Sequence, residues 1–147
     1  TSDIKESKNK SDQIISDGER SDTDVQDILS AYQELIKENI DYDSLIMAHK
    51  YDEPLIQGIY ELIVETVLCS NEKTLIASNW YPAELVRSKF LKLNYSHIEY
   101  VLDCFKKNTS KVKNIKKYML AALFNAPTTI DGYYKAEVNH DMPQFAV

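Results

Sequence analysis

The residues of greatest chemical potential in this chain are its cations and tyrosines. Residues 86–118 hold nine Lys or Arg against only Glu99 and Asp103, a local balance of +7. The rest of the chain carries eight bases against 21 acids, or −13, so the formal net charge of −6 conceals a strong asymmetry. From Cys104 to Ile130 there are six lysines and no acid. Such a block attracts nucleic acid or an acidic protein surface. Its plainer reading is a solvated helix face turned toward the acidic part of its own domain. Tyr81, Tyr95, Tyr100 and Tyr118 lie within or beside the block, so aromatic and basic residues interleave. Basic grooves with aromatic platforms bind single strands. Tyrosines with buried rings and wet hydroxyls are equally a feature of small helical cores. The candidate binding residues, for a partner protein or a nucleic acid, are Arg87, Lys89, Lys92, Lys111, Lys113, Lys116, Lys117 and Tyr118.

Little else in the sequence points to chemistry. Cys69 and Cys104 are the only cysteines, too few for a disulfide scaffold and without metal spacing. They read as two small buried hydrophobes in a reducing compartment. His49, His97 and His140 are far apart and show no HxxxH or HExxH spacing. His140-Asp141 reads as an ordinary surface pair near a fraying end. The three glycines build no phosphate-cradling loop, and no Ser or Cys sits in a nucleophile elbow. Asp41 and Asp43 flank Tyr42 without the donors or glycine of a calcium loop. No catalytic or metal-binding residue is assigned, no cofactor is expected, and the chain reads as a non-enzyme.

The elements that must position these residues follow from composition and periodicity. With 147 residues, 44% hydrophobic and 27% charged, and only three glycines and four prolines, the chain suits one domain with an appendage. No run approaches the roughly 18–20 apolar residues of a membrane span. Thr1 opens a polar segment rather than a charged-then-apolar leader, so the expectation is a soluble, cytoplasmic piece of a longer protein. Residues 1–24, rich in Lys, Ser, Asp and Glu, bury too little to order themselves and read as a flexible linker. Residues 25–147 read as a helical domain of about 120 residues, enough for a modest core.

Within that domain an all-α bundle of about five to six helices is expected. Asp24 caps a helix over 25–38, with Val25, Ile28, Leu29, Tyr32, Leu35 and Ile36 as its apolar stripe. A short helix or turn carries Leu45, Ile46 and Met47, and Pro54 opens a helix to about Ser70. Gly58 inside it marks a close helix contact. Residues 73–80 lose the helical period and suit a small β-hairpin turning at Ser78-Asn79. Pro82 restarts helix, with Leu85, Val86, Phe90 and Leu91 inward and Arg87, Lys89 and Lys92 outward. Ser96 and Glu99 have capping-box spacing before the stripe Ile98, Val101, Leu102 and Phe105. A last long helix spans about 112–125, stopped by Asn125 and Pro127, with a short helix over 130–138 and fraying after Pro143.

Longer strings carry a resemblance. Tyr81-Pro-Ala-Glu-Leu-Val-Arg-Ser-Lys-Phe-Leu-Lys-Leu-Asn-Tyr-Ser-His-Ile-Glu-Tyr-Val-Leu-Asp-Cys-Phe105 resembles the C-terminal domain of plasmid replication initiator protein A. So do Asn114-Ile-Lys-Lys-Tyr-Met-Leu-Ala-Ala-Leu-Phe-Asn-Ala-Pro127 and Ile130-Asp-Gly-Tyr-Tyr-Lys-Ala-Glu-Val-Asn-His-Asp141. The resemblance covers about residues 26–141 and implies a helical module like the C-terminal domain of the primosome protein DnaD. It implies an initiator of plasmids and integrative elements whose separate winged-helix domain binds the origin. This module would then recruit host replication machinery such as primase, acting as an adaptor. DnaD-type domains carry a Tyr-xxx-Ile-xx-Ile-xxx-Trp pattern. Here Asn94-xxx-Ile98-xx-Val101-xxx-Phe105 keeps the apolar positions and replaces the Tyr and Trp. The alternative function is a nucleic-acid-binding module using the same basic face.

Overall fold

Helical periodicity governs nearly every element of this chain, and a computed structural model describes residues 22–108 and 111–141. Most of the expected linker, the break at Thr109-Ser110 and the end beyond Asp141 lie outside the described residues. The chain divides into two compact units, Thr1–Glu34 and Leu35–Val147. That division falls inside the first helix, α1 (Asp22–Ile40). Asp24 lies within this helix rather than capping it.

In the first unit, Asp22–Glu34 is helical, and Val25 and Ile28 remain 49% and 39% exposed. The stripe expected to be core is therefore open over these turns. The second unit holds the end of α1, α2 (Tyr42–Ala48), a 3-10 turn (Lys50–Asp52) and α3 (Glu53–Val67). The hairpin β1 (Lys73–Ile76) and β2 (Asn79–Pro82) follows, then α4 (Ala83–Leu91), α5 (Tyr95–Asn108) and α6 (Ile115–Asp141). This is a mostly helical bundle with one antiparallel hairpin. Among the described residues no helix is long and apolar enough to cross a membrane.

The core of the second unit is built from Ile36 and Ile40 of α1, Leu45 of α2, Ile56 and Ile63 of α3, Phe90 of α4, Ile98 and Leu102 of α5, and Leu123 of α6. Each is essentially inaccessible, and each such burial contributes roughly 1.5–3 kcal/mol before entropy. Asn39 ties α1 to α4 by donating its side-chain N–H to the Leu91 carbonyl at 3.0 Å. Of the apolar residues on α2, Leu45 enters the core while Met47 is 73% exposed.

Local stereochemistry corrects several boundaries. The hairpin pairs Thr74 with Tyr81 and Leu75 with Trp80, and its turn is Ala77-Ser78 rather than Ser78-Asn79. Both turn residues adopt positive φ, 52° and 70°, which matches the twist of a two-residue hairpin loop without any glycine. At the start of α5 the cap is Asn94, not Ser96. The His97 N–H donates to Asn94 Oδ1 at 3.0 Å, and the Asn94 N–H donates to His97 Nδ1 at 3.1 Å. This is a capping box with histidine in the place of glutamate. Glu99 is thereby free to reach His49, 2.8 Å away.

Pro127 does not stop α6, which continues to Asp141 and absorbs the expected short helix at 130–138. A proline inside a helix removes one backbone donor. Side chains around it bond back to the helix carbonyls. Asn125 Nδ2 donates to the Ala121 carbonyl, and the Thr128 and Thr129 hydroxyls donate to the Asn125 carbonyl. Gly58 likewise departs from expectation, since a Cβ built there meets nothing within 4 Å. It faces open space, not a neighbouring helix.

Candidate functional site

The expected binding residues separate into those consumed by the fold and those left at the surface. Arg87 belongs to the first group. Its Nε donates to the Val67 carbonyl at 2.9 Å, Nη2 donates to the Cys69 carbonyl at 3.1 Å, and Nη1 pairs with Glu84 at 2.8 Å. The last carbonyls of a helix lack intrahelical donors, and a cation there also meets the negative end of the dipole. Arg87 thus closes the C-terminal end of α3 rather than pointing outward as expected. Lys89 sits over the Phe124 ring, 4.8 Å from its centroid, and Tyr81 packs on the same ring at 4.7 Å. Lys92 follows the last turn of α4 and is exposed.

The second group surrounds the start of α6. Asn114 caps this helix by accepting the Lys117 N–H at 2.9 Å, which presents Lys113, Lys116 and Lys117 around its first turn. Lys116 pairs with Glu65 at 3.0 Å, but both side chains are about two-thirds exposed, so the pair adds little stability. Lys111, Lys113 and Lys117 are exposed. Among the described residues they have no ion-pair partner. Lys106 pairs with Asp52 and Lys107 with Asp103. The cations of α4 therefore do not join those of α6 in one patch. Lys89 is level with Phe124, eight residues and roughly 12 Å along the helix from Lys116.

Tyr118 is half-buried, with its ring 5.8 Å from that of Phe105. Burial pushes its phenol above the ordinary tyrosine range. With Tyr100, Cys104, Asn125 and Thr129 it lines a shallow cleft of about 320 Å³ between α5 and α6. The Tyr100 and Thr129 hydroxyls hydrogen-bond across it at 2.9 Å. Burial raises the Cys104 thiol, which favours the protonated, unreactive form. Cys69 and Cys104 are both half-buried rather than core residues. Burial lowers His97 below the ordinary imidazole range, in keeping with its Nδ1 accepting a backbone N–H. Among the described residues, no three His, Cys, Asp or Glu side chains gather as a metal site.

Two surface features were not anticipated from the sequence. A groove of about 390 Å³ runs between α3 and the start of α6, lined by Leu55, Gly58, Ile59, Leu62, Ile115 and Met119. Gly58 forms part of its floor, and Ile115 is 54% exposed at its wall. The glycine was a signal in the sequence, read toward the wrong cause. The other feature is the outer face of the hairpin. Trp80 is 65% exposed there beside its cross-strand partner Leu75, while Ile76 and Tyr81 turn inward.

Residues 3–144 match the model of a family described as a family of unknown function, DUF6017. The chain belongs to that family. The match spans both compact units, so the family pattern includes the acidic helical stretch as well as the bundle. No curated protein and no solved structure matches the chain.

Proposed function

We propose that this member of the family is a non-catalytic adaptor, the C-terminal part of a replication initiator of a plasmid or integrative element. It brings host replication machinery, with primase the first candidate, to an origin held by another domain. The observation that carries this reading is the edge at the start of α6. Lys111, Lys113 and Lys117 are exposed without a carboxylate partner among the described residues, while Arg87, Lys106, Lys107 and Lys116 are engaged. A cationic edge of this kind speeds encounter with an acidic surface and gives binding that weakens with salt. Trp80 and Leu75 supply an exposed apolar anchor of the type that dominates interface energetics. The resemblance to initiator C-terminal domains supplies the replication context, and such machinery is cytoplasmic. An adaptor acts by raising the local concentration of what it holds.

A second reading is single-strand binding by the same lysines, favoured by the Tyr100 and Tyr118 rings in the cleft beside Lys117. Affinity capture from a host extract, paired with oligonucleotide titration at two salt concentrations, separates the two. The adaptor retains a replication protein, and Lys111, Lys113 and Lys117→Glu abolishes that retention. Tight oligonucleotide binding with a salt slope near −0.7 per phosphate contact, and no protein retained, would replace it with the second reading.

A further inference from the structure

The α3–α6 groove lies wholly within the second unit, and its two edges differ in charge. Its floor is apolar, with Leu55, Gly58, Leu62 and Met119 set along about 16 Å of helix between Pro54 and Glu65. Ile115 walls the α6 side and is 54% exposed. The charged side chains that line the groove are Glu61, Glu65 and Lys116. Lys116 is taken by Glu65 at 3.0 Å, while Glu61 accepts the neutral Gln57 amide at 2.8 Å, so one negative charge is left over. Glu53, Gln57, Glu61 and Glu65 are all exposed and recur every four residues, which makes them one ridge along the α3 edge. The field of that ridge reaches Tyr42, whose phenol is raised by burial and then by Glu53, Glu61 and Asp43. Lys37 stands over the Tyr42 ring, 5.1 Å from its centroid, and among the described residues no ion pair joins it to the ridge.

We propose that this groove takes an amphipathic helix of a partner protein, apolar along one face and rich in Lys or Arg along one flank. Both walls are helices whose interior main-chain groups are bonded within the helix, so the groove offers side chains and no strand edge. An extended peptide finds nothing there to pair with, whereas a helix satisfies its own backbone and inserts apolar anchors at i, i+3, i+4 and i+7. Glu61 sets the sign of the flank, because a seated helix lays one side against the α3 ridge. Gly58 supports close approach. A Cβ there meets nothing within 4 Å, so the fold itself has no need of the glycine, although glycine weakens a helix interior. With no side chain at the middle of the floor, the incoming helix comes nearer to α3. None of Lys111, Lys113 and Lys117 lines the groove, and the inference does not rest on the adaptor reading.

Titration of the full chain with a panel of labelled helical peptides, each about 14 residues long, tests it by fluorescence anisotropy. Every peptide carries Leu, Ile, Phe or Met at i, i+3, i+4 and i+7 with lysines along one flank, and has a twin with glutamates in their place. The native chain binds at least one lysine peptide, prefers it about threefold or more to its glutamate twin, and loses that preference in high salt. Glu61→Lys reverses the preference. Gly58→Leu fills the floor and weakens binding about tenfold or more, with its helical circular dichroism retained. Ile115→Asn, at an exposed position, does the same should Gly58→Leu fail to fold. No lysine peptide bound, a glutamate twin preferred by the native chain, or binding untouched by the two groove variants overturns the proposal. So does self-association of the native chain that the groove variants abolish and no lysine peptide displaces, which gives the groove to a second copy.

Discussion

Arg87 Nε lies 2.9 Å from the carbonyl oxygen of Val67, twenty residues earlier, and this contact joins α4 to the end of α3. The sequence presents Arg87 as one more cation in a basic block, yet the fold spends it on backbone. Arg87→Ala is expected to destabilise the protein by about 1–3 kcal/mol, since two carbonyls lose a charged donor. Arg87→Lys restores little of this, because an ammonium cannot reproduce the planar fork of the guanidinium. Chemical denaturation checks both, and equal stability of the three proteins would show that the cap is idle.

Gly58→Ala should raise stability by about 1 kcal/mol. The helix gains propensity, and the new methyl group points into open groove. A lowered melting temperature would show that the groove is closed over Gly58 in solution.

A pH dependence follows from His97. Burial lowers its folded-state pKa, and the neutral ring accepts the Asn94 N–H. The unfolded chain then binds the proton more readily than the folded one. Stability from this residue is complete above the ordinary imidazole range and is lost as pH falls through it toward the lower folded value. Relative to His97→Gln, which keeps a capping side chain without titrating, the native protein should lose melting temperature between about pH 7 and pH 5. Parallel curves for the two proteins would remove His97 as the cause.

Much of the fold was legible because periodic apolar residues leave few alternatives: Ile98, Val101, Leu102 and Phe105 form the buried side of α5 as their spacing requires. The hairpin was legible from the lapse of that period at 73–80. The errors fell at a helix cap and at a proline. Asn94 and His97 exchange the two capping bonds expected of Ser96 and Glu99, which leaves Glu99 to pair with His49. Pro127 sits inside α6 without ending it, and the side-chain bonds of Asn125, Thr128 and Thr129 go to the neighbouring Ala121 and Asn125 carbonyls. For the site, residue type showed where positive charge accumulates, but not which cations the fold engages. Arg87 and Lys89 are claimed by a helix end and an aromatic ring that lie far away in sequence. The groove depends on α3 meeting α6, more than fifty residues apart, and no local pattern announces it.

The most direct measurement is the titration of purified host primase into the full chain, beside Lys111, Lys113 and Lys117→Glu and the fold control Arg87→Ala. The adaptor account expects saturable, salt-sensitive binding to the native chain, weakened about tenfold or more by the lysine variant. Arg87→Ala, measured where it remains folded, should bind as the native chain does. Absence of binding, or equal affinity for the native chain and the lysine variant, would contradict it.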